Sequence, residues 1–341
     1  MKILVITNMY PTKESPSAGV FIKKMVDQLS QSEKIDIHVW KLKSGNKYLA
    51  YLCFYFLFIF KLVIVRPDIA YCHFISHTGG LGWLAKKLLG CKLVLNCHGS
   101  DIMNSLKHKG KRFKLNDMFL SYADMVITPS EFLKSVVVNN FATSASNIFI
   151  SPSGGVKIAL KTEYKNITKT LRLGFVGRLI PMKGIDIIID ALENSEDIEL
   201  FVAGCGNFNY ISEKLSNSVK LNYFGEVPQS ELNIVYENID ILLFPTKFEE
   251  SLGLTPIEAM AHSVPVIGSD SGAVGEYIQH GINGYLIPVG DSVKLRESIE
   301  DFRQLTVHER NQMKCFSYET AKRYDESLAS IQLREKLFSL F

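Results

Sequence analysis

Two glutamates, Glu250 and Glu258, stand with seven residues between them just after an apolar run that ends at Phe244. Between them Gly253 and Leu254 can open a helix and present backbone N–H groups, where a diphosphate is favoured by the donors and by the helix dipole. A structural use of the same residues stays open, because Thr255-Pro256-Ile257-Glu258 also fits a capping box with proline at the helix start. A second segment, Gly174-Phe175-Val176-Gly177-Arg178-Leu179-Ile180-Pro181-Met182-Lys183-Gly184, offers a planar fork at Arg178 and a point charge at Lys183. Both suit phosphate oxygens. Taken alone they would be ordinary surface cations; their place after a strand, in company with the glutamate pair, favours the phosphate. His98, in His98-Gly99-Ser100-Asp101, follows another apolar run and sits beside a glycine, where a ligand-facing histidine and a structural one are both at home. Asp101 can equally cap a helix. Gly19, after Tyr10-Pro11, can start a helix with its backbone close to a phosphate, or simply punctuate the chain. Ala203-Gly204-Cys205-Gly206-Asn207 and Asn222-Tyr223-Phe224-Gly225-Glu226-Val227 read as glycine turns at further strand ends.

These residues need a scaffold that brings loop tips together. Short β-branched or aromatic runs alternate with helix-length segments through most of the chain, the pattern of βαβ units and parallel sheets. Six candidate strands lie in the first half: Lys2–Thr7, Ile35–Leu42, Asp68–Phe74, Cys91–Cys97, Asp124–Thr128 and Asn147–Ser151. Six more follow a polar stretch from Lys157 to Thr170: Leu171–Gly177, Asp197–Ala203, Val219–Phe224, Ile239–Phe244, Val264–Ser269 and Gly284–Ile287. The expected fold is α/β, with two Rossmann-like domains over residues 1–160 and 161–321 and terminal helices, that of residues 322–341 returning to the first domain. Ligands of such sheets bind beyond the carboxyl ends of the strands, so two domains facing each other would make a central cleft.

In this order the motifs resemble the family-4 retaining glycosyltransferases (glycosyl transferases group 1, GT-B fold). Their hallmark is Glu, seven residues, Glu, continuing as Glu258-Ala259-Met260-Ala261-His262-Ser263-Val264-Pro265-Val266. The likeness runs from Gly19 through Ser271-Gly272 to Gly281-Ile282-Asn283-Gly284. Leu252 replaces a commoner aromatic, His262-Ser263 replace a small residue and glycine, and Ala18 replaces one of a glycine pair. The resemblance implies that Glu250 and His98 contact the donor sugar, Gly253 and Leu254 the distal phosphate, and Glu258 the ribose. Arg178 and Lys183 would neutralise the leaving diphosphate without a metal, and the segment around Phe224 would lie near the base. The implied reaction is same-face hexosyl transfer from a nucleotide sugar, a UDP-sugar ahead of a GDP-sugar, to a lipid-linked or glycan acceptor in cell-surface polysaccharide synthesis such as lipopolysaccharide or capsule. Nothing marks Glu250 as a covalent nucleophile. A nucleotide-sugar epimerase, a phosphorylase of the same fold and a non-catalytic sugar-nucleotide-binding subunit remain as alternatives.

Composition narrows the field. The 341 residues, 47% hydrophobic, suffice for two domains of about 150 residues each. Cys53, Cys72, Cys91, Cys97, Cys205 and Cys315 form no C-x-x-C pair, and several lie in apolar runs, so neither a disulfide framework nor a zinc site is expected. No H-E-x-x-H or strand-linked D-x-D is present, and the turn after Lys2–Thr7 lacks G-x-G-x-x-G, which disfavours a required metal and a nicotinamide dehydrogenase. The apolar run at the N-terminus is too short for a signal peptide, giving a cytoplasmic expectation. Residues 1–160 carry 20 basic and 9 acidic side chains, net +11, against 18 and 26, net −8, in residues 161–341. That asymmetry suggests an anionic partner for the first half, and no nucleic-acid module is evident. The run Tyr48–Phe60 has 13 uncharged residues, short of the roughly 20 of a spanning helix. Lys41, Lys43 and Lys47 precede it, and Lys107, Lys109, Lys111, Arg112 and Lys114 crowd the segment after His98. Docking on an anionic membrane, peripheral on its inner face, is one expectation; a buried helix and a solvated basic loop is the other.

Overall fold

The computed structural model describes residues 1–12, 15, 18–42, 47–159 and 170–341. Ser17, Lys43, the Lys47 side chain and most of the polar stretch between the two halves lie outside that description. The chain divides into two compact units, Met1–Gly155 with Ser327–Phe341, and Val156–Glu326.

The first unit holds a six-stranded sheet of β1 (Lys2–Thr7), β2 (Asp36–Lys41), β3 (Ile69–His73), β4 (Lys92–Asn96), β5 (Met125–Thr128) and β6 (Ile148–Ile150), in the order β2-β1-β3-β4-β5-β6. All neighbours are parallel. Helices cover both faces, which is why β3 and β5 are buried at every position and read as unbroken apolar runs. Leu4 and Ile6 face one core with Cys72, Leu93 and Leu95. Ile3 and Val5 face the other with Tyr71 and Val94, and Leu333 and Leu337 of the helix Glu326–Phe338 close that side.

The second unit holds β7 (Leu171–Val176), β8 (Ile198–Ala203), β9 (Val219–Tyr223), β10 (Ile241–Phe244), β11 (Val266–Ser269) and β12 (Gly284–Ile287), all parallel, in the order β12-β11-β10-β7-β8-β9. Each sheet reverses its strand order once, between β1 and β3 in the first and between β7 and β10 in the second. Chains leaving adjacent strands at such a point diverge to opposite faces and leave a crevice at the carboxyl edge. Every expected strand is present, several trimmed at an end, and the C-terminal region forms the helices Val307–Lys322 and Glu326–Phe338.

The apolar run around Tyr48 follows neither expectation in full. It forms two short helices, Lys47–Phe56 and Phe58–Val65, broken at Leu57. The stretch Tyr48–Val65 has the length and composition of a membrane span, yet Phe54, Phe58, Leu62 and Val65 are buried, three of them in a core of the first unit. Its other face is open: Tyr48 is 87% exposed, Phe56 71% and Ile64 78%.

Candidate active site

In the second unit the two loops at the strand reversal carry most of the expected site residues. After β7 the chain runs through Arg178 to a 3₁₀ turn, Pro181–Lys183, and then through Gly184 into the helix Ile185–Ala191. Gly184 has φ 79°, and a Cβ there would fall on the carbonyl of Pro245. The loop after β7 thus lies backbone to backbone against the loop after β10, an approach that only glycine permits. Lys247 extends the contact, its N–H donating to the Met182 carbonyl at 3.0 Å and its ammonium to Asp186 Oδ2 at 2.6 Å.

This clamp brings Lys183 and Glu250 together. Lys183 Nζ donates to Glu250 Oε1 at 2.6 Å, and Thr246 Oγ1 donates to the same oxygen at 3.0 Å. The ammonium also lies 5.4 and 5.3 Å from the ring centres of Phe244 and Phe248, distances at which the ring faces attract a cation. The Glu250 backbone is braced from the far side, where its carbonyl accepts the Ala273 N–H at 2.8 Å.

Farther along the same loop Gly253, at φ 79°, caps the helix Leu254–Ala261 without a side-chain acceptor for its first N–H groups. The capping box suggested by Thr255-Pro256-Ile257-Glu258 does not form, because the helix opens one residue before Thr255. The Glu258 carboxylate instead accepts from Gln229 Nε2, and from Tyr236 Oη at 3.4 Å. Burial, and secondarily the charge of Glu258, raises the Tyr236 hydroxyl pKa well above its ordinary value, so the tyrosine keeps its proton as a donor. Tyr277 Oη donates to the Gly253 carbonyl at 3.4 Å. Arg178 is exposed and forms no side-chain hydrogen bond or ion pair among the described residues.

In the first unit Gly19, with φ 67°, opens the helix Val20–Ser30, and a Cβ there would meet the Met9 carbonyl oxygen at 2.7 Å. His98 follows β4, packed between Phe21 and Phe74 at ring-centre distances of 5.0 and 4.4 Å. Its Nε2 lies 2.9 Å from Nδ1 of His73, and burial lowers its pKa to about 3, leaving the ring neutral. Asp101 is a tie between loops: its carboxylate accepts the N–H groups of Ile75 and His98, each at 3.0 Å.

Sequence reasoning missed His73, Thr246, Gln229, Tyr236 and Tyr277. Thr246 lies beside the glutamate motif, and its four-residue spacing to Glu250 was the available signal; in the second unit the fold joins Gln229 and Tyr236 to Glu258 and Tyr277 to Gly253, and in the first it joins His73 to His98. Among the described residues no three His, Cys, Asp or Glu side chains gather as a metal site.

Residues 157–320 match the family described as Glycosyl transferases group 1, and residues 5–154 match Glycosyltransferase Family 4. An uncharacterized glycosyltransferase of Methanocaldococcus jannaschii is 28% identical over 245 residues, 68% of this chain and 64% of its own. Phosphatidyl-myo-inositol mannosyltransferase of Mycobacterium leprae is 28% identical over 176 residues, 50% of this chain and 46% of its own. The chain therefore spans about half to two thirds of the length of these curated relatives. Among solved structures, HepE of Anabaena, in complex with UDP, has a TM-score of 0.78 at 20% identity, covering 99% of this chain and 100% of that one. Sucrose-phosphate synthase of Thermosynechococcus elongatus has a TM-score of 0.80 at 14% identity over the whole of both chains. At those identities the likeness establishes the fold.

Proposed function

We propose, for a chain that belongs to the group 1, family 4 glycosyltransferases and has their two-sheet GT-B fold, that it transfers a hexose from a nucleotide sugar to an acceptor hydroxyl with retention. The observation that carries this reading is the Lys183–Glu250 contact at the strand reversal. It joins a cation suited to a departing diphosphate to a carboxylate suited to sugar hydroxyls. In retaining transfer the anomeric carbon gains positive character as the diphosphate leaves, so the main electrostatic demand is on the leaving negative charge. Arg178 and Lys183, with the N–H groups of Gly253 and Leu254, meet that demand. Glu250 and His98 orient the donor sugar, Glu258 holds the ribose, and Gly19 lets backbone approach a phosphate. Donor arrival exchanges partners: Lys183 turns to phosphate while Glu250 turns to sugar.

HepE is solved with UDP and with UDP-glucose, which supports a UDP-sugar as donor. The names of the mannosyltransferase above and of a lipopolysaccharide outer core galactosyltransferase of similar fold support a lipid-linked or glycan acceptor in cell-surface polysaccharide synthesis. The open face of the helices Lys47–Phe56 and Phe58–Val65 supports work at the inner face of the cell membrane. Between residues 41 and 66 there is no acidic residue. Tyr55 Oη donates to the His77 carbonyl at 2.7 Å, and Asn116 Nδ2 to Ser76 Oγ at 2.9 Å. Those two bonds tether the apolar helices and the helix Lys111–Tyr122 to adjacent residues of one helix, Ile75–Leu89, and Lys109, Lys111, Arg112 and Lys114 are exposed. An anionic bilayer meets both features.

Two measurements test the reading. Nucleotide sugars are screened by thermal shift, and products formed with a lipid-linked acceptor are identified by mass spectrometry. Donor conversion without acceptor would point to an epimerase, and binding without turnover to a non-catalytic subunit. In liposome co-sedimentation, binding should require anionic lipid, weaken with salt and fall when the four cations are neutralised. No binding, with full activity on a soluble acceptor, rejects the membrane role.

A further inference from the structure

We infer that His73 is a positioning residue that fixes the tautomer of His98, making Nδ1 of His98 a hydrogen-bond donor. The inference rests on the reading of His98 as a donor-sugar ligand.

His73 ends β3, a strand buried along its whole length, and is itself 1% exposed. For packing alone a leucine or phenylalanine would serve better, since an imidazole brings two polar nitrogens into the core and each loses its hydration. Nδ1 is answered by His98 Nε2 at 2.9 Å. Nε2 is buried with no hydrogen-bond partner among the described residues. The polar side of this ring thus serves a single contact, the one with His98.

The ring is held to that contact. It stacks on Tyr71 at 4.8 Å and 22° and lies nearly parallel to the His98 ring, 13° between planes and 5.1 Å between centres, so that the two rings meet edge to edge. Tyr71 is pinned in turn by Asn96 Nδ2, which donates to its hydroxyl at 2.9 Å. The backbone of His73 is fixed by Thr78 Oγ1, which donates to its carbonyl at 2.9 Å.

One proton must lie between the two facing nitrogens, and the orphaned nitrogen decides where. If His98 donated, His73 would carry its own proton on Nε2, a buried N–H with nothing to accept it. If His73 donates from Nδ1, its Nε2 is a bare lone pair. Orphaned buried N–H groups are the rarer defect in folded proteins, so the proton belongs to His73 Nδ1. His98 then accepts at Nε2 and carries its own proton on Nδ1, because the bond made by one ring nitrogen sets the state of the other. Burial keeps both rings neutral by lowering both pKa values. His98 therefore meets its ligand as a neutral donor, suited to a hydroxyl or phosphate oxygen.

The test is nitrogen-15 NMR of the full chain with labelled histidine, paired with donor kinetics. Wild-type His98 should show a protonated Nδ1 and a bare Nε2 from pH 6 to 8. His73→Phe should lose that preference and lower kcat/KM for the donor by about 10- to 100-fold, the scale on which outer partners of metal-ligating histidines act. His73→Asn, whose Nδ2 stands near the lost Nδ1–H, should restore both. A wild-type His98 protonated on Nε2 overturns the inference even if His73→Phe does not fold. So does a folded His73→Phe with unchanged spectrum and turnover. Full activity in His98→Ala would instead remove His98 from the donor site, a separate failure.

Discussion

Lys183 and Glu250, 67 residues apart in sequence, share a 2.6 Å hydrogen bond. Their side chains are 20% and 15% exposed, sheltered enough that each is the other's counterion until a ligand replaces it. Glu250→Ala and Lys183→Ala should each lower transfer by about 10²–10³-fold, as loss of a single charge-stabilising group does, while leaving a folded protein. Because the two act as a unit, the double variant should lose less than the product of the single losses. Near-normal transfer by Glu250→Ala would take it out of the site.

Arg178 separates catalysis from stability. Its exposed guanidinium has no partner among the described residues to lose, so Arg178→Ala should change unfolding free energy by no more than about 0.5 kcal/mol while lowering turnover strongly. A chelator should have little effect on the wild-type rate. An absolute need for added divalent metal would replace the cation account with a metal-bridged diphosphate.

Gly253→Ala tests the helix start. At φ 79° the new Cβ would lie 2.9 Å from Tyr277 Oη. Left-handed strain costs about 1–2 kcal/mol for an alanine, and the clash adds to it. Tyr277→Phe in the same chain removes the oxygen and should recover the clash but not the strain, as read by urea unfolding. Donor affinity should fall in the single variant because Leu254 N–H moves with the helix. Unchanged stability and affinity would show that this turn tolerates a side chain.

Acid should destabilise the first unit through its paired histidines. Burial lowers the pKa of His98 from 6.5 to about 3 in the folded protein, so below pH 6.5 the unfolded chain takes up a proton that the folded one refuses. The stability associated with this neutral ring is present above pH 6.5 and is lost as pH falls toward 3, by up to about 1.4 kcal/mol per pH unit. His73 acts in the same direction. Urea unfolding at pH 7.5, 6 and 5 should show a shallower slope for His98→Asn than for wild type. Equal slopes would mean that His98 titrates normally.

Much of this was legible in the residues. Strands of a parallel sheet covered on both faces must be continuous apolar runs, and β3 and β10 announce themselves that way. Gly253 is read as a helix start and caps the helix Leu254–Ala261. What a linear pattern conceals is partnership. Glu258 finds Gln229 across 29 residues and His98 finds His73 across 25, both through strand order. Thr255 resembles a cap but lies inside its helix, because Gly253 turns the chain sooner. The helices Lys47–Phe56 and Phe58–Val65 are apolar on every side, so periodicity could not choose the buried face.

Ser327–Phe341 belong to the first unit, and this ties the order of synthesis to the order of folding. The sheet face bearing Ile3, Val5, Tyr71 and Val94 emerges from the ribosome before the whole second unit, with one part of its cover, Ile22, Met25 and Leu29 of the helix Val20–Ser30, while the other part, Leu333 and Leu337, emerges after it. The area that Leu333 and Leu337 close must wait, exposed and liable to aggregate, until those later residues arrive. A chain stopped at residue 326 would therefore lose integrity in the portion that was made first.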